Sequence, residues 1–346
     1  MNRCYYSIIA PRCQGGQRES FSRKLLTFSH PLPYNGEKKE HIMRYLKPNG
    51  TDLTVSVIAQ GCMRIAEMTD AEVEALVKTD LENGIDFFDH ADIYGRGACE
   101  ARFGALLRRE PSLRGRITVQ TKCGIVPGEG YDFSRGHILD IVDGSLKRLN
   151  TERIDVLLLH RPDALCQPEE VAEALEALHA AGKVRYFGVS NFNPLQIALL
   201  KKYCRLPIVF NQLQFSPVHT GLVDCGIHVN TSEEASAVRD GMILDYCRLN
   251  DIVIQPWSPF RADSGTYIGN PAFQALNDAL QAVAGRYGIT VSAAAIAWIL
   301  RHPAGMQPII GTTNGARVAQ IAKAADVTIT RGEWYAIYRA AGNSVP

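Results

Sequence analysis

The run Ile85-Asp86-Phe87-Phe88-Asp89-His90-Ala91-Asp92-Ile93-Tyr94-Gly95 carries the pattern that decides the fold. Its first five residues have strand length, are mostly apolar and end on an acid. They follow an amphipathic stretch, residues 70–83, that opens with Thr69-Asp70, a helix-start signal. Amphipathic helix, short apolar strand, then polar residues at the strand's end: the question is how often the chain repeats this unit.

Working outward, apolar runs of strand length recur at residues 55–61, 85–89, 117–122, 154–160, 184–190, 208–212, 252–257 and 307–311. Most are rich in β-branched residues, as parallel strands buried on both faces are. Helical patterns lie between and after them, at residues 70–83, 99–109, 135–149, 169–181, 194–203, 232–249, 272–301, 315–325 and 331–341. Pro168 followed by Glu169 and Glu170 suits a first turn, and Gly182 suits an exit. Strands each followed by a helix imply one parallel sheet closed on itself, a (β/α)₈ TIM barrel over residues 43–346. A doubly wound open sheet also alternates, but eight units without a break favour the barrel. A hairpin starting near Gly50 is expected to seal the barrel bottom, and residues 219–236 read as a long connection after the sixth strand.

The chain has 346 residues, 46% hydrophobic and 21% charged, enough apolar material for a large core. Lys plus Arg number 37 against 36 Asp plus Glu, a formal net charge of +1, which points away from nucleic acid or a membrane as partner. The nine cysteines form no Cys-x-x-Cys pair, so reduced thiols are expected, with no disulfide framework and no metal. No apolar run approaches the ~20 residues of a membrane span. Residues 1–42 differ: Arg3, Arg12, Arg18, Arg23 and Lys24 stand among serines, and Pro31, Pro33 and Gly36 break any periodicity. They are read as a disordered N-terminal extension to a cytoplasmic protein, with an organelle transit peptide as the alternative.

In such a barrel, chemistry sits at the C-terminal ends of the strands. Here Asp89, Lys122 and His160 each end an apolar run, and Tyr94 follows Asp89 closely enough to fold back over them. A phenol titrates near ~10, and a neighbouring ammonium lowers that value. Lys122 is expected to supply that charge to Tyr94, Asp89 to hold Lys122, and His160 to hydrogen-bond a substrate oxygen. The group suits general-acid protonation of an alkoxide formed when hydride reaches a carbonyl. Taken singly, Asp89 with Lys122 also reads as a structural ion pair, His160 as a core histidine and Tyr94 as a loop aromatic.

At these residues the chain resembles the aldo-keto reductase family from about Met43 to the C-terminus. Four blocks carry the resemblance: residues 84–95 with their Asp-His-Ala-Asp-Ile-Tyr-Gly motif, Thr121-Lys122, Leu158-Leu159-His160, and Gly188-Val189-Ser190-Asn191-Phe192. The motif, with Cys99-Glu100 and Phe103-Gly104, is similar to a bacterial branch of oxidoreductases. The resemblance implies NADP(H), with NAD(H) as the alternative, a small-molecule carbonyl substrate, and Tyr94 as acid/base with Asp89, Lys122 and His160. It gives Gly61, Cys62 and Met63, where the first strand ends, to the cofactor, and Ser190, Asn191 and Gln212 to the nicotinamide carboxamide. Trp257 falls on the nicotinamide ring, and Ser258, Pro259 and Arg261 at the pyrophosphate loop. It assigns the adenosine 2′-phosphate to Gly311, Thr312, Thr313, Asn314 and Arg317, at a helix start that favours anions. Two positions depart from the family: many members carry a lysine where this chain has Gly311, and an asparagine where it has Ile321, leaving Gln320 as the substitute. The preference for NADPH over NADH therefore stays open. Met63, Ile93, Ile125 and Arg161 are candidate substrate-pocket residues.

Three rivals are weighed. A cofactor-binding regulatory subunit would keep the pocket with little turnover. A Schiff-base aldolase would need Lys122 neutral. A metal-dependent hydrolase would use Asp89, His90 and Asp92. Gly95-Arg96-Gly97 lacks the third glycine and the strand-turn-helix setting of a Rossmann loop. The substrate, the direction of reaction and the oligomeric state are left open.

Overall fold

The computed structural model describes residues 43–228 and 242–343. The extension read into residues 1–42 lies outside the described residues, as do residues 229–241.

Eight parallel strands form the barrel: β1 Ala59–Gly61, β2 Phe87–Asp89, β3 Thr118–Cys123, β4 Ile154–Leu159, β5 Val184–Ser190, β6 Ile208–Gln214, β7 Val253–Trp257 and β8 Ile309–Ile310. From β1 to β7 each pairs with the next in chain order, and β8 pairs in parallel with β1. Between β7 and β8 the gap is bridged by Gln307 N–H donating to the Ile254 carbonyl at 3.0 Å, so the sheet nearly closes. The helices are α1 Asp70–Glu82, α2 Ala98–Arg109, α3 Arg135–Leu149, α4 Pro168–Ala180, α5 Pro194–Tyr203, α6 Gly221–Ile227, α7 Ile243–Leu249, α8 Gln274–Tyr287, α9 Val291–Leu300, α10 Gly315–Ala322 and α11 Arg331–Ala340. A capping box between Thr69 and Glu72 starts α1, satisfying helix N–H groups that would otherwise lack partners.

Alternation along the strands sorts two cores. Phe88, Val119, Leu157 and Leu159 face the helices and join the large outer core. Phe87, Val156, Leu158 and Phe210 fill the lower barrel interior with Leu53 and Val55, and a register shift between Ile208 and Phe210 lets Val209 join them. Gly188 is glycine because of this inner layer: a Cβ there would meet Leu158 Cδ2 at 2.6 Å and the Phe210 carbonyl at 2.7 Å. The outer layer is pinned by Trp298 and Trp334, stacked at 4.8 Å, each indole donating to the other's carbonyl.

Several boundaries correct the sequence reading. The hairpin pairs Tyr45–Leu46 with Val55–Ser56, so it begins at Tyr45; Gly50 lies in its turn at φ +73°. The pattern read as one helix over residues 272–301 is α8 and α9, bent by 90°. Gly288 leaves α8 at φ +62° and Thr290 caps α9, so three residues break an otherwise continuous apolar pattern. The long connection read at residues 219–236 contains α6, and the helix read over residues 232–249 is described only as α7; the rest lies outside the described residues. No single described helix is long and apolar enough to cross a membrane.

Candidate active site

Register brings the polar strand ends together. Asp89 pairs with Gln120, and Lys122 pairs with Leu158. Lys122 lies two residues beyond Gln120, and His160 two beyond Leu158, so all share the inward face. Tyr94 arrives differently. After Asp89 the chain turns through Gly95 (φ +56°), Arg96 (+54°) and Gly97 (+89°) before α2 begins. This left-handed turn, which glycine makes at little cost, accounts for Gly95-Arg96-Gly97 and sets Tyr94 over the strand ends.

Lys122 is wholly buried. Its Nζ donates to Asp89 Oδ1 at 2.8 Å and Oδ2 at 2.9 Å, to the His90 carbonyl at 2.7 Å and to the Tyr94 hydroxyl oxygen at 3.2 Å. The rings of Tyr94 and His160 meet edge to face, 6.0 Å between centroids. Burial works against the Lys122 charge, but Asp89 and Tyr94 together raise its pKa above the ordinary lysine value. Burial pushes His160 down to about 2, helped by Lys122 and Arg161, so its ring is neutral.

For Tyr94 the expected direction is overturned. Burial raises the phenol above its ordinary value, and the Lys122 ammonium only partly offsets this. The sequence shows the neighbouring charge but not the loss of water around the hydroxyl, which is the larger effect.

Glutamines hold the acid from below. Gln120 Nε2 donates to Asp89 Oδ1 at 2.7 Å and to Gln255 Oε1 at 2.9 Å. Gln255 Nε2 donates to Gln307 Oε1 at 2.9 Å, and Gln307 Nε2 reaches the Ser56 carbonyl of the bottom hairpin at 2.6 Å. The sequence reading missed this chain; its signal was a glutamine inside each of three apolar runs.

Above the group opens a cavity of about 710 Å³. Asp89, Tyr94 and His160 line one end, with Lys122 just beneath. Gly61, Met63, Ser190, Asn191, Gln212, Trp257, Ser258, Pro259, Arg261, Gly311, Thr312, Thr313, Asn314 and Arg317 also line it. Two residues of the expected cofactor set do not. Cys62 is buried, its N–H donating to the Asp89 carbonyl at 2.8 Å; Gln320 is exposed on α10, and Ile321 lines the cavity instead. Of the expected substrate residues, Met63 and Arg161 line the cavity; Ile93 and Ile125 do not. The Arg161 guanidinium lies over the Trp257 ring at 5.9 Å.

The middle of the cavity is preordered. Ser190 Oγ donates to the Gln212 carbonyl at 3.1 Å, Asn191 Nδ2 to Ser190 Oγ at 2.8 Å, and Trp257 Nε1 to Asn191 Oδ1 at 3.4 Å. Asn191 (φ +60°) and Ser258 (φ +51°) take left-handed backbone conformations, a cost that concentrates at ligand sites. Gln212 Nε2 donates inward to Asp89 Oδ1 at 3.2 Å, so this side chain joins the acid's network.

Sequence reading also passed over Arg64, Phe260 and Thr266 as lining residues. Thr266 belongs to a hairpin, Arg261–Ala262 with Gly265–Thr266, for which Asp263-Ser264-Gly265 was the turn signal.

The rivals fare badly in this geometry. Lys122 is charged and held by a carboxylate, which removes the neutral amine an aldolase needs. The His90 ring packs on Phe103 at 4.6 Å, away from the cavity, and among the described residues no His, Cys, Asp and Glu group could hold a metal ion.

The charge of the cavity lining suits an anion, and Trp257 offers a face to a flat ring. Arg64, Arg161, Arg261 and Arg317 line the cavity, and Asp89 is the one acid among its described lining residues. The sequence matches the Aldo/keto reductase family over residues 57–341.

The chain belongs to the aldo/keto reductase family.

It is accordingly an NAD(P)H-dependent oxidoreductase of the aldo-keto reductase type. It is 37% identical over 303 residues to a 6-dehydroglucose reductase of Agrobacterium fabrum, covering 83% of this chain and 94% of that one. It is 35% identical over 311 residues to the oxidoreductase YdhF of Escherichia coli, covering 87% and 98%. In fold it is similar to a Bombyx mori aldo-keto reductase crystallised with NADP, at a TM-score of 0.67 and 24% identity over 86% of this chain and 93% of that one.

Proposed function

We propose that this aldo-keto reductase reduces an aldehyde or ketone to an alcohol, with NADPH as reductant and Tyr94 as proton donor. A bound reduced nicotinamide would supply the hydride to the carbonyl carbon; Trp257, Ser190 and Asn191 fit its flat ring and carboxamide. Thr312, Thr313, Asn314 and Arg317 fit an adenosine 2′-phosphate, which favours NADPH over NADH.

The chain's own groups then handle the proton. Tyr94 already accepts from Lys122, so its hydrogen is free to pass to the carbonyl oxygen as that oxygen becomes an alkoxide. Burial keeps the phenol protonated at neutral pH. The Lys122 ammonium then stabilises the phenolate left behind, and Asp89 keeps that ammonium charged and aimed. His160, neutral, contributes a hydrogen bond to the same oxygen and not a positive charge. The observation that carries the reading is the 3.2 Å contact between Tyr94 and a wholly buried ammonium at the end of a cavity.

The test is NADPH oxidation by purified protein across simple aldehydes, diketones and oxidised sugars, the last because two relatives are named 6-dehydroglucose reductases. Saturable turnover with any of them supports the proposal. Tight NADPH binding with no turnover across the panel would favour a regulatory subunit instead.

A further inference from the structure

We propose that Arg64 is a second phosphate-binding residue of the cavity and, with Arg317, sets the preference for a 2′-phosphorylated cofactor. This rests on the cofactor reading above and goes beyond it in assigning a residue from the opposite side of the barrel seam.

The placement follows from closure of the sheet. Gln60 of β1 pairs with Ile310 of β8, so the turn after β1 faces the segment after β8. Above the paired residues, side-chain bonds cross that seam: Gln60 Nε2 to the Thr312 carbonyl at 3.1 Å, and Arg64 Nη1 to the Gly311 carbonyl at 3.0 Å. The turn is itself fastened. Cys99 Sγ donates to the Met63 carbonyl at 3.3 Å, Ile65 is buried, and Met68 N–H returns to the Ile65 carbonyl at 3.2 Å.

Gly311 explains why the guanidinium fits there. Its φ is not in the left-handed region, so the backbone does not require glycine. A Cβ at 311 would meet one heavy atom within 4 Å, Arg64 Nη1 at 3.9 Å. The room a side chain at 311 would use is room that Arg64 enters.

The charge there has no counterion. Arg102 and Arg109 bind Asp70, and Arg148 binds Glu100. Among the described residues no carboxylate pairs with Arg64; its one hydrogen bond goes to a neutral carbonyl. A guanidinium has five N–H donors, so most of its capacity remains for an anion in the cavity. It bonds Gly311, the residue that leads into Thr312, Thr313 and Asn314, whereas Ser258 and Arg261 follow β7. That proximity to the β8 segment favours the 2′-phosphate over the diphosphate.

Calorimetric titrations of the full chain with NADPH, NADH, 2′,5′-ADP and 5′-AMP test this without any turnover. Arg64→Ala is expected to weaken NADPH and 2′,5′-ADP by about tenfold or more, with NADH within about twofold of wild type. Retained NADH binding also reports an intact fold. Adding Gly311→Lys to Arg64→Ala is expected to restore NADPH binding, because the lysine would extend through the vacated room. Equal weakening of NADPH and NADH would overturn the proposal in favour of a diphosphate contact, and unchanged binding of every ligand would overturn it outright. A wild-type chain that binds 2′,5′-ADP no better than 5′-AMP would instead sink the 2′-phosphate reading itself.

Discussion

At one end of the cavity Asp89 and Lys122 are sealed under Tyr94, while at the other Arg64, Arg261 and Arg317 stand exposed to solvent. The first end is built by strand register and by an interior chain of glutamines reaching the bottom hairpin. The second is built by the hairpin after β7 and by the turn after β1 and the segment after β8, which meet only where the sheet closes. Buried charges act through a low dielectric and cost several kcal/mol when left alone, whereas exposed ones are screened. The buried end should therefore govern both stability and chemistry, and the exposed end cofactor affinity and choice.

Lys122→Ala should show the largest effect, since it leaves Asp89 buried without its counter-charge. A loss of about 3–5 kcal/mol is expected by urea unfolding, together with loss of turnover. A variant as stable as wild type would erase the contrast between the two ends. Gln120→Leu takes a donor from Asp89 and from Gln255. It should cost about 1–3 kcal/mol in the same measurement; no change would show that the glutamines do not support the acid.

Arg317→Ala should leave stability near wild type, because the side chain is exposed. It should weaken NADPH by about tenfold in equilibrium titrations while sparing NADH. Equal weakening of both would remove Arg317 from the 2′-phosphate. The smallest effect is a null one. His160, pushed to about 2 by burial, should show no titration of its ring signals by NMR between pH ~5 and ~8. A midpoint in that window would make it a charged participant in catalysis.

The same contrast decided what was legible in the sequence. Asp89, Lys122 and His160 could be read because each ends an apolar run, and the barrel carries such ends to one mouth. The eight strands could be read because buried parallel strands leave continuous apolar segments. Arg64 could not, since its contact with Gly311 spans 247 positions and exists only once β8 closes on β1. The break between α8 and α9 was hidden because Gly288-Ile289-Thr290 interrupts an apolar pattern for three residues only. The direction of the Tyr94 shift was misread because burial of a hydroxyl depends on the left-handed turn behind it and on the ring of His160 beside it. Cys62 reads as a cofactor residue from its position after β1, but the strand's alternation turns the thiol outward into the helix-facing core, and only its neighbours Gly61 and Met63 reach the cavity.

The most direct test is Tyr94→Phe, which removes one hydroxyl from the buried end and leaves the rest of the cavity in place. Steady-state turnover and NADPH titration should be measured on the same preparation. Turnover is expected to fall by at least about 10²-fold, the range for loss of a positioned acid, with NADPH affinity unchanged. Near-native turnover in that variant would contradict the account.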